Sequence, residues 1–210
     1  NTPTWGTYNS GGVTYNYYEN TIESLLEVLK IKKNKKIKLG IEFDIVFTKD
    51  KEIICFHDFN TKRLTGVNLD IINTNFKEIQ KLKLKDSKIP KFENILKLFV
   101  DKDIILDIEI KNNTNNSDEL DEYIKEIIKI IKRYDYKKYI IKSYDHYIID
   151  KIKIEINDIK NGYLFDIFEK KLLKKKNSYL FFDINLLDNE YCKENNILLI
   201  TKYLKLLRKN

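Results

Sequence analysis

Glu42 and Asp44 stand two residues apart in Leu39–Phe47 (LGIEFDIVF), and Asp107, Glu109 and Lys111 repeat that spacing from Asp103 onward. On a strand, side chains two apart leave the same face, roughly 7 Å from each other. One reading makes both faces solvated, with Ile41, Phe43, Ile45, Leu106, Ile108 and Ile110 packed inward. The other places the acids inside a parallel barrel, where a carboxylate needs a cation or a hydrogen-bonding partner. Three carboxylates from two strands could then converge on a hard divalent ion such as Ca²⁺ or Mg²⁺, both of which prefer oxygen ligands. No cluster of thiolates and imidazoles suited to zinc is visible.

His57 closes the run EIICFHD and is followed directly by Asp58. A lone histidine is as readily structural as catalytic, but barrel enzymes place their reactive groups at strand ends. Imidazole there could protonate a departing alkoxide. His146, after Ser143-Tyr144-Asp145, reads as a surface or capping residue.

The elements that must position these groups alternate. Apolar residues at helical spacing predict helices over Glu19–Leu29, Asn75–Leu82, Phe92–Val100, Glu119–Tyr134 and His146–Ile154. Strands are predicted at Leu39–Phe47, Glu52–Phe56, Asp103–Ile110, Tyr139–Lys142, Gly162–Phe165, Tyr179–Phe182 and Ile197–Thr201. Strands alternating with helices argue for a parallel sheet with crossover connections, and their number favours a closed barrel over an open sheet. Only Asn112–Ser117 reads as a flexible loop, so residues 1–210 are expected to form a single domain.

A formal charge of +7 raises the possibility of nucleic-acid binding. Lysine is spread along the whole chain, however, and alanine is absent while Ile, Asn, Lys and Tyr abound. That is the pattern of codon drift with lysine as a generic solvated residue, so no nucleic-acid partner is expected. No apolar run approaches the roughly 20 residues of a membrane span, and no signal peptide is recognisable. Cys55 and Cys192 form no disulfide framework, which points to a reducing, cytoplasmic setting.

Taken in order, Glu19-Asn20-Thr21, Glu42-Phe43-Asp44, Phe47-Thr48-Lys49-Asp50, His57-Asp58 with Arg63, Thr65 and Gly66, Ile89-Pro90 and Glu109-Ile110-Lys111 form a signature. It resembles that of the glycerophosphodiester phosphodiesterases, and the strong part covers about half the chain, Glu19 to Lys111. Ser143-Tyr144-Asp145 and Gly162-Tyr163-Leu164 are similar to weaker landmarks of that family. The resemblance implies an α/β fold, a TIM-like (β/α)8 barrel, and one bound divalent cation, Ca²⁺ or Mg²⁺. It also implies a small-molecule phosphodiester substrate hydrolysed to an alcohol and a phosphomonoester. By the same resemblance Glu42, Asp44 and Glu109 would hold the metal and Lys111 would lie beside the phosphate. His57 would be the general acid, and Arg63 would be structural, paired with an acid beneath the site.

Two departures stand out. Where the family carries a His-Arg-Gly triplet, this chain reads Asn9-Ser10-Gly11-Gly12, with Asn9 near the histidine's place and Ser10 near the arginine's. Both are retained as phosphate-binding candidates, although asparagine can hydrogen-bond but cannot take a proton near neutral pH. At the other end Ile200-Thr201-Lys202 stands for the family's Trp-Thr strand, so the last barrel unit is expected to be shortened or absent. The alternative function is therefore a catalytically disabled relative that binds phosphodiesters or a protein partner.

Overall fold

A computed structural model describes residues 18–30, 40–84 and 86–165, together with the strand Tyr179–Phe182. Asn9, Ser10, Cys192, the expected strand Ile197–Thr201 and the last barrel unit lie outside the described residues.

The first helix among the described residues is the short α1 (Ile22–Leu26), where Thr21 and Ser24 close a reciprocal capping box. Strand β1 (Gly40–Phe47) follows. The next strand, β2 (Ile53–Cys55), is joined to it by the tight turn at Thr48–Lys51, where Lys51 adopts φ 65°. So few residues cannot make the crossover that a parallel pair needs, and β2 pairs antiparallel with β1. The parallel sheet expected from the alternating pattern is found from β1 onward, and β2 is its one antiparallel strand among the described residues.

From there the crossovers take hold. After the short helices α2 (Lys62–Thr65) and α3 (Phe76–Ile79) come α4 (Phe92–Phe99) and β3 (Ile105–Ile110). They are followed by α5 (Ser117–Ile131), β4 (Tyr139–Ser143), α6 (His146–Glu155), β5 (Lys160–Phe165) and β6 (Tyr179–Phe182). The sheet order is β2-β1-β3-β4-β5-β6, parallel from β1 onward. Helix α3 is shorter than the predicted Asn75–Leu82, because Leu84 and Ser87 bridge back on each other and turn the chain away.

One face of the sheet is apolar. Ile41, Phe43, Ile45, Leu106, Ile108, Ile110 and Ile141 are buried with Phe92, Ile95, Leu96 and Phe99 of α4. The face of α5 formed by Leu120, Tyr123, Ile124, Ile127 and Ile131 joins the same core. That spacing is one stripe of a helix, capped by the Asn116 side chain, which accepts from the Glu119 amide at 3.0 Å. A second cluster, with Val46, Ile54, Phe56, Ile71, Phe76, Ile79, Leu84 and Ile89, covers the other side of the β1–β2 hairpin. No helix among the described residues is long and apolar enough to cross a membrane.

Candidate metal and phosphodiester site

The register decides what the sequence left open. Across β1 and β3, Glu42 lies opposite Asp107 and Asp44 opposite Glu109, while Glu109 in turn lies opposite Lys142 of β4. All five share the face turned away from the helices, and Asp44, Asp107, Glu109 and Lys142 are buried. The carboxylates therefore do not form a solvated face. Glu42, Asp44 and Glu109 each offer an oxygen within 4.8 Å of the others.

Two lysines divide the acids between them. Lys111 Nζ donates to Glu109 Oε1 at 2.9 Å and lies 3.5 Å from Asp44 Oδ1. Lys142 Nζ donates to Asp107 Oδ2 at 2.8 Å and lies 3.3 Å from Glu42 Oε1. Among the described residues, four carboxylates thus face two ammonium groups. Burial pushes the Glu42 carboxyl up to about 8, with Lys142 opposing and the neighbouring acids adding to the rise. Asp44 is raised by burial and by Glu109, against Lys111, His57 and Asn20. Burial works against the charge of both lysines, yet the adjacent carboxylates outweigh it and raise them. Hard oxygen donors brought together, with carboxyls held up by burial and by their acidic neighbours, fit a divalent cation.

Asn20, in the Glu19-Asn20-Thr21 motif, has a role at the site that its sequence position did not disclose. Its Nδ2 donates to Asp44 Oδ2 at 3.0 Å and its Oδ1 accepts from the Asp44 amide at 2.9 Å. Asn20 makes both contacts from a left-handed backbone, φ 60°, a conformation asparagine tolerates better than most residues. Lys142 was also passed over, though a lysine in the otherwise apolar run Tyr139-Ile140-Ile141 is a signal, since lysine is almost never buried unpaired.

His57 reaches the site by a route the strand-end argument did not foresee. Because β2 runs back along β1, the Phe56 amide donates to the Asp44 carbonyl oxygen at 3.1 Å, and His57 comes next. Its Nδ1 lies 2.7 Å from Asp58 Oδ1. Arg63 holds Asp58 through both oxygens, Nε to Oδ2 at 2.6 Å and Nη2 to Oδ1 at 3.0 Å, and also pairs with Glu19. Burial alone would raise Asp58, but its bonds to Arg63 and His57 outweigh this and hold it below the usual carboxylate range. The acids that Arg63 pairs with are thus Asp58 and Glu19. His146 proves not to be the cap of α6. Asp145 caps that helix, while the His146 ring packs edge-on against Tyr163 and its Nε2 lies 3.2 Å from the Leu164 carbonyl oxygen.

A mostly parallel sheet backed by helices, with clustered acids on one face and a histidine–aspartate pair beside them, defines an α/β protein with a candidate metal site. Residues 11–200 match the Glycerophosphoryl diester phosphodiesterase family, and the chain belongs to it. A glycerophosphodiester phosphodiesterase of Caldanaerobacter subterraneus subsp. tengcongensis is 29% identical over 163 residues, 73% of this chain. Human lysophospholipase D GDPD1 is 27% identical over 156 residues, 67% of this chain. The chain spans 64% of the first relative's length and 46% of the second's. Among solved structures, an Oleispira antarctica phosphodiesterase in complex with the product sn-glycerol-3-phosphate superposes with a TM-score of 0.74 at 17% identity. That match covers 88% of this chain and 78% of the neighbour. The Thermotoga maritima glycerophosphodiester phosphodiesterase gives 0.66 at 24% identity, covering 88% and 79%. The fold is the TIM-like barrel of these neighbours.

Proposed function

We propose that this chain is one glycerophosphodiester phosphodiesterase-like domain that hydrolyses a glycerophosphodiester or related phosphodiester in a metal-dependent reaction. The observation that carries this is the convergence of Glu42, Asp44 and Glu109, with Lys111 among them, in a member of this family. Those three acids would hold one divalent cation, which when bound neutralises charge on the phosphoryl oxygens. Lys111 supplies a fixed positive charge for the phosphate, with Asn9 and Ser10 as further phosphate-binding residues. Asp58 accepts the Nδ1 proton of His57, which leaves Nε2 to give up its own. A water oxygen bonds to phosphorus as the P–O bond to the departing alcohol breaks; the alcohol oxygen takes the Nε2 proton, the water gives up a proton to solvent, and a phosphomonoester remains. Arg63 keeps Asp58 ionised and aligned for this task.

The test is release of a phosphomonoester from glycerophosphocholine and similar diesters with Ca²⁺ or Mg²⁺. An absence of turnover across such a panel, with metal shown to be bound, would refute hydrolysis. A second reading, a disabled relative that binds phosphodiesters, rests on the absence of any histidine before His57. It expects Asn9→His or Ser10→His to create activity, and loses its basis if the unaltered chain turns over at a rate typical of enzymes.

A further inference from the structure

Glu19 takes no part in the reaction as described, yet its carboxylate closes a chain of contacts that ends on the proton donor. Arg63 Nη2 donates both to Glu19 Oε1 and, at 3.0 Å, to Asp58 Oδ1, while Arg63 Nε donates to Asp58 Oδ2 at 2.6 Å. Asp58 Oδ1 in turn lies 2.7 Å from His57 Nδ1. The Glu19 side chain is 13% exposed against 34% for Arg63, so the acid is the inner end of this chain. The backbone around it is tied down. The Thr21 hydroxyl donates to the Tyr18 carbonyl oxygen at 2.8 Å, and the Leu25 amide donates to the Thr21 carbonyl oxygen at 3.1 Å. The next residue, Asn20, clamps Asp44. One short turn therefore carries both the anchor of the His57–Asp58 pair and the clamp on a candidate metal ligand. Arginine is a flexible stem ending in a rigid fork, so Asp58 is fixed only if the far side of the guanidinium is fixed too.

We propose that Glu19 is a positioning residue for proton transfer: acting through Arg63 and Asp58, it fixes the His57 imidazole relative to Asp44, so that two adjacent residues, Glu19 and Asn20, set the spacing between proton donor and metal ligand. Stability is not the main effect, because an ion pair as exposed as this one contributes little. Geometry is, since misplacing a reacting group by about 1 Å costs about 100-fold in rate. The anchor also selects the ring nitrogen that carries the proton. With Asp58 held against Nδ1, the neutral ring keeps its proton there, and Nε2 is the nitrogen that exchanges protons with the substrate. The consequence for rate rests on the phosphodiesterase reading of this site, whereas the placement of the His57 ring does not.

Two measurements on the full chain test this. In the metal-free protein, NMR shifts of the ring nitrogens report the tautomer of each of the two histidines, with His57 assigned from His57→Asn. The neutral His57 ring should carry its proton on Nδ1 in the unaltered chain and shift toward the Nε2–H form in Glu19→Ala. Glu19→Gln, whose amide oxygen can still accept from Arg63, should restore most of the original pattern. In turnover of glycerophosphocholine with Ca²⁺, Glu19→Ala should lower kcat by about 10- to 100-fold and leave Ca²⁺ affinity within error. The same change in a His57→Asn background should cost nothing further, because Glu19 acts only through His57. A merely structural ion pair would lower Tm, leave the tautomer unchanged and reduce kcat by the same factor with or without His57, and that result overturns the inference. Should Glu19→Ala fail to fold, Glu19→Asp, one methylene short of Arg63, takes its place, and an unmoved tautomer with an unmoved kcat there is equally fatal. If the unaltered chain turns nothing over with metal bound, the phosphodiesterase reading falls, and the tautomer shift alone then decides whether Glu19 positions His57.

Discussion

Glu42→Gln should stabilise the metal-free protein while abolishing its response to Ca²⁺. The Glu42 carboxyl is pushed from 4.5 up to about 8 in the folded chain. A raised carboxyl contributes no penalty below its unfolded value, and stability is lost as pH climbs from about 4.5 toward 8. At pH 7 that loss comes to about 3 kcal/mol at 1.36 kcal/mol per pH unit. This is an upper figure, because the Glu42 side chain is 18% exposed and water screens it. Glutamine keeps the shape without the charge. With about 2–4 °C per kcal/mol for a chain of this size, the variant's Tm in EDTA at pH 7 should rise by up to about 6–12 °C. At pH 4 the two proteins should melt nearly together, since Glu42 is then protonated in both states. Calcium at about 100 times its Kd should add about 2.7 kcal/mol to the unaltered protein and almost nothing to the variant. Differential scanning fluorimetry across pH 4–8, with EDTA and with Ca²⁺, reads both effects. A variant that melts lower in EDTA at pH 7, or that responds to Ca²⁺ as fully as the parent, would refute the argument.

Removing the Asn20 clamp on Asp44 with Asn20→Ala should weaken Ca²⁺ binding about 10–100-fold by calorimetry, the usual cost of losing a partner behind a metal ligand. Replacing the proton donor with His57→Asn should lower kcat about 10²–10⁴-fold while Ca²⁺ affinity stays within error, because the imidazole is not among the three ligands. Tyr123→Phe, which deletes the buried bond from the phenol to the Ile45 carbonyl oxygen at 2.9 Å, should cost about 0.5–1.5 kcal/mol in denaturant unfolding. It should leave kcat unchanged, since Tyr123 lies on the helix-facing side of β1.

Much of this molecule was legible from local pattern alone. The period-two alternation of Ile41–Phe47 and Leu106–Ile110 placed Glu42, Asp44 and Glu109 on common faces, and the helical stripe of α5 was readable because its apolar positions recur every three or four residues. Local periodicity says which side chains share a face, not what that face meets. Only the register of β1 on β3 and β3 on β4 could bring Glu42 opposite Asp107 and Glu109 opposite Lys142, because pairing depends on residues 33 to 65 positions apart. The same holds for His57, whose place beside Asp44 follows from a tight turn that makes β2 run backward, and for Asn20, which reaches Asp44 across 24 residues. Composition and spacing thus determined a strand-and-helix chain with paired acids. The tertiary structure decided that the acids face inward and share two lysines, since burial and pairing are properties of segments brought together from afar.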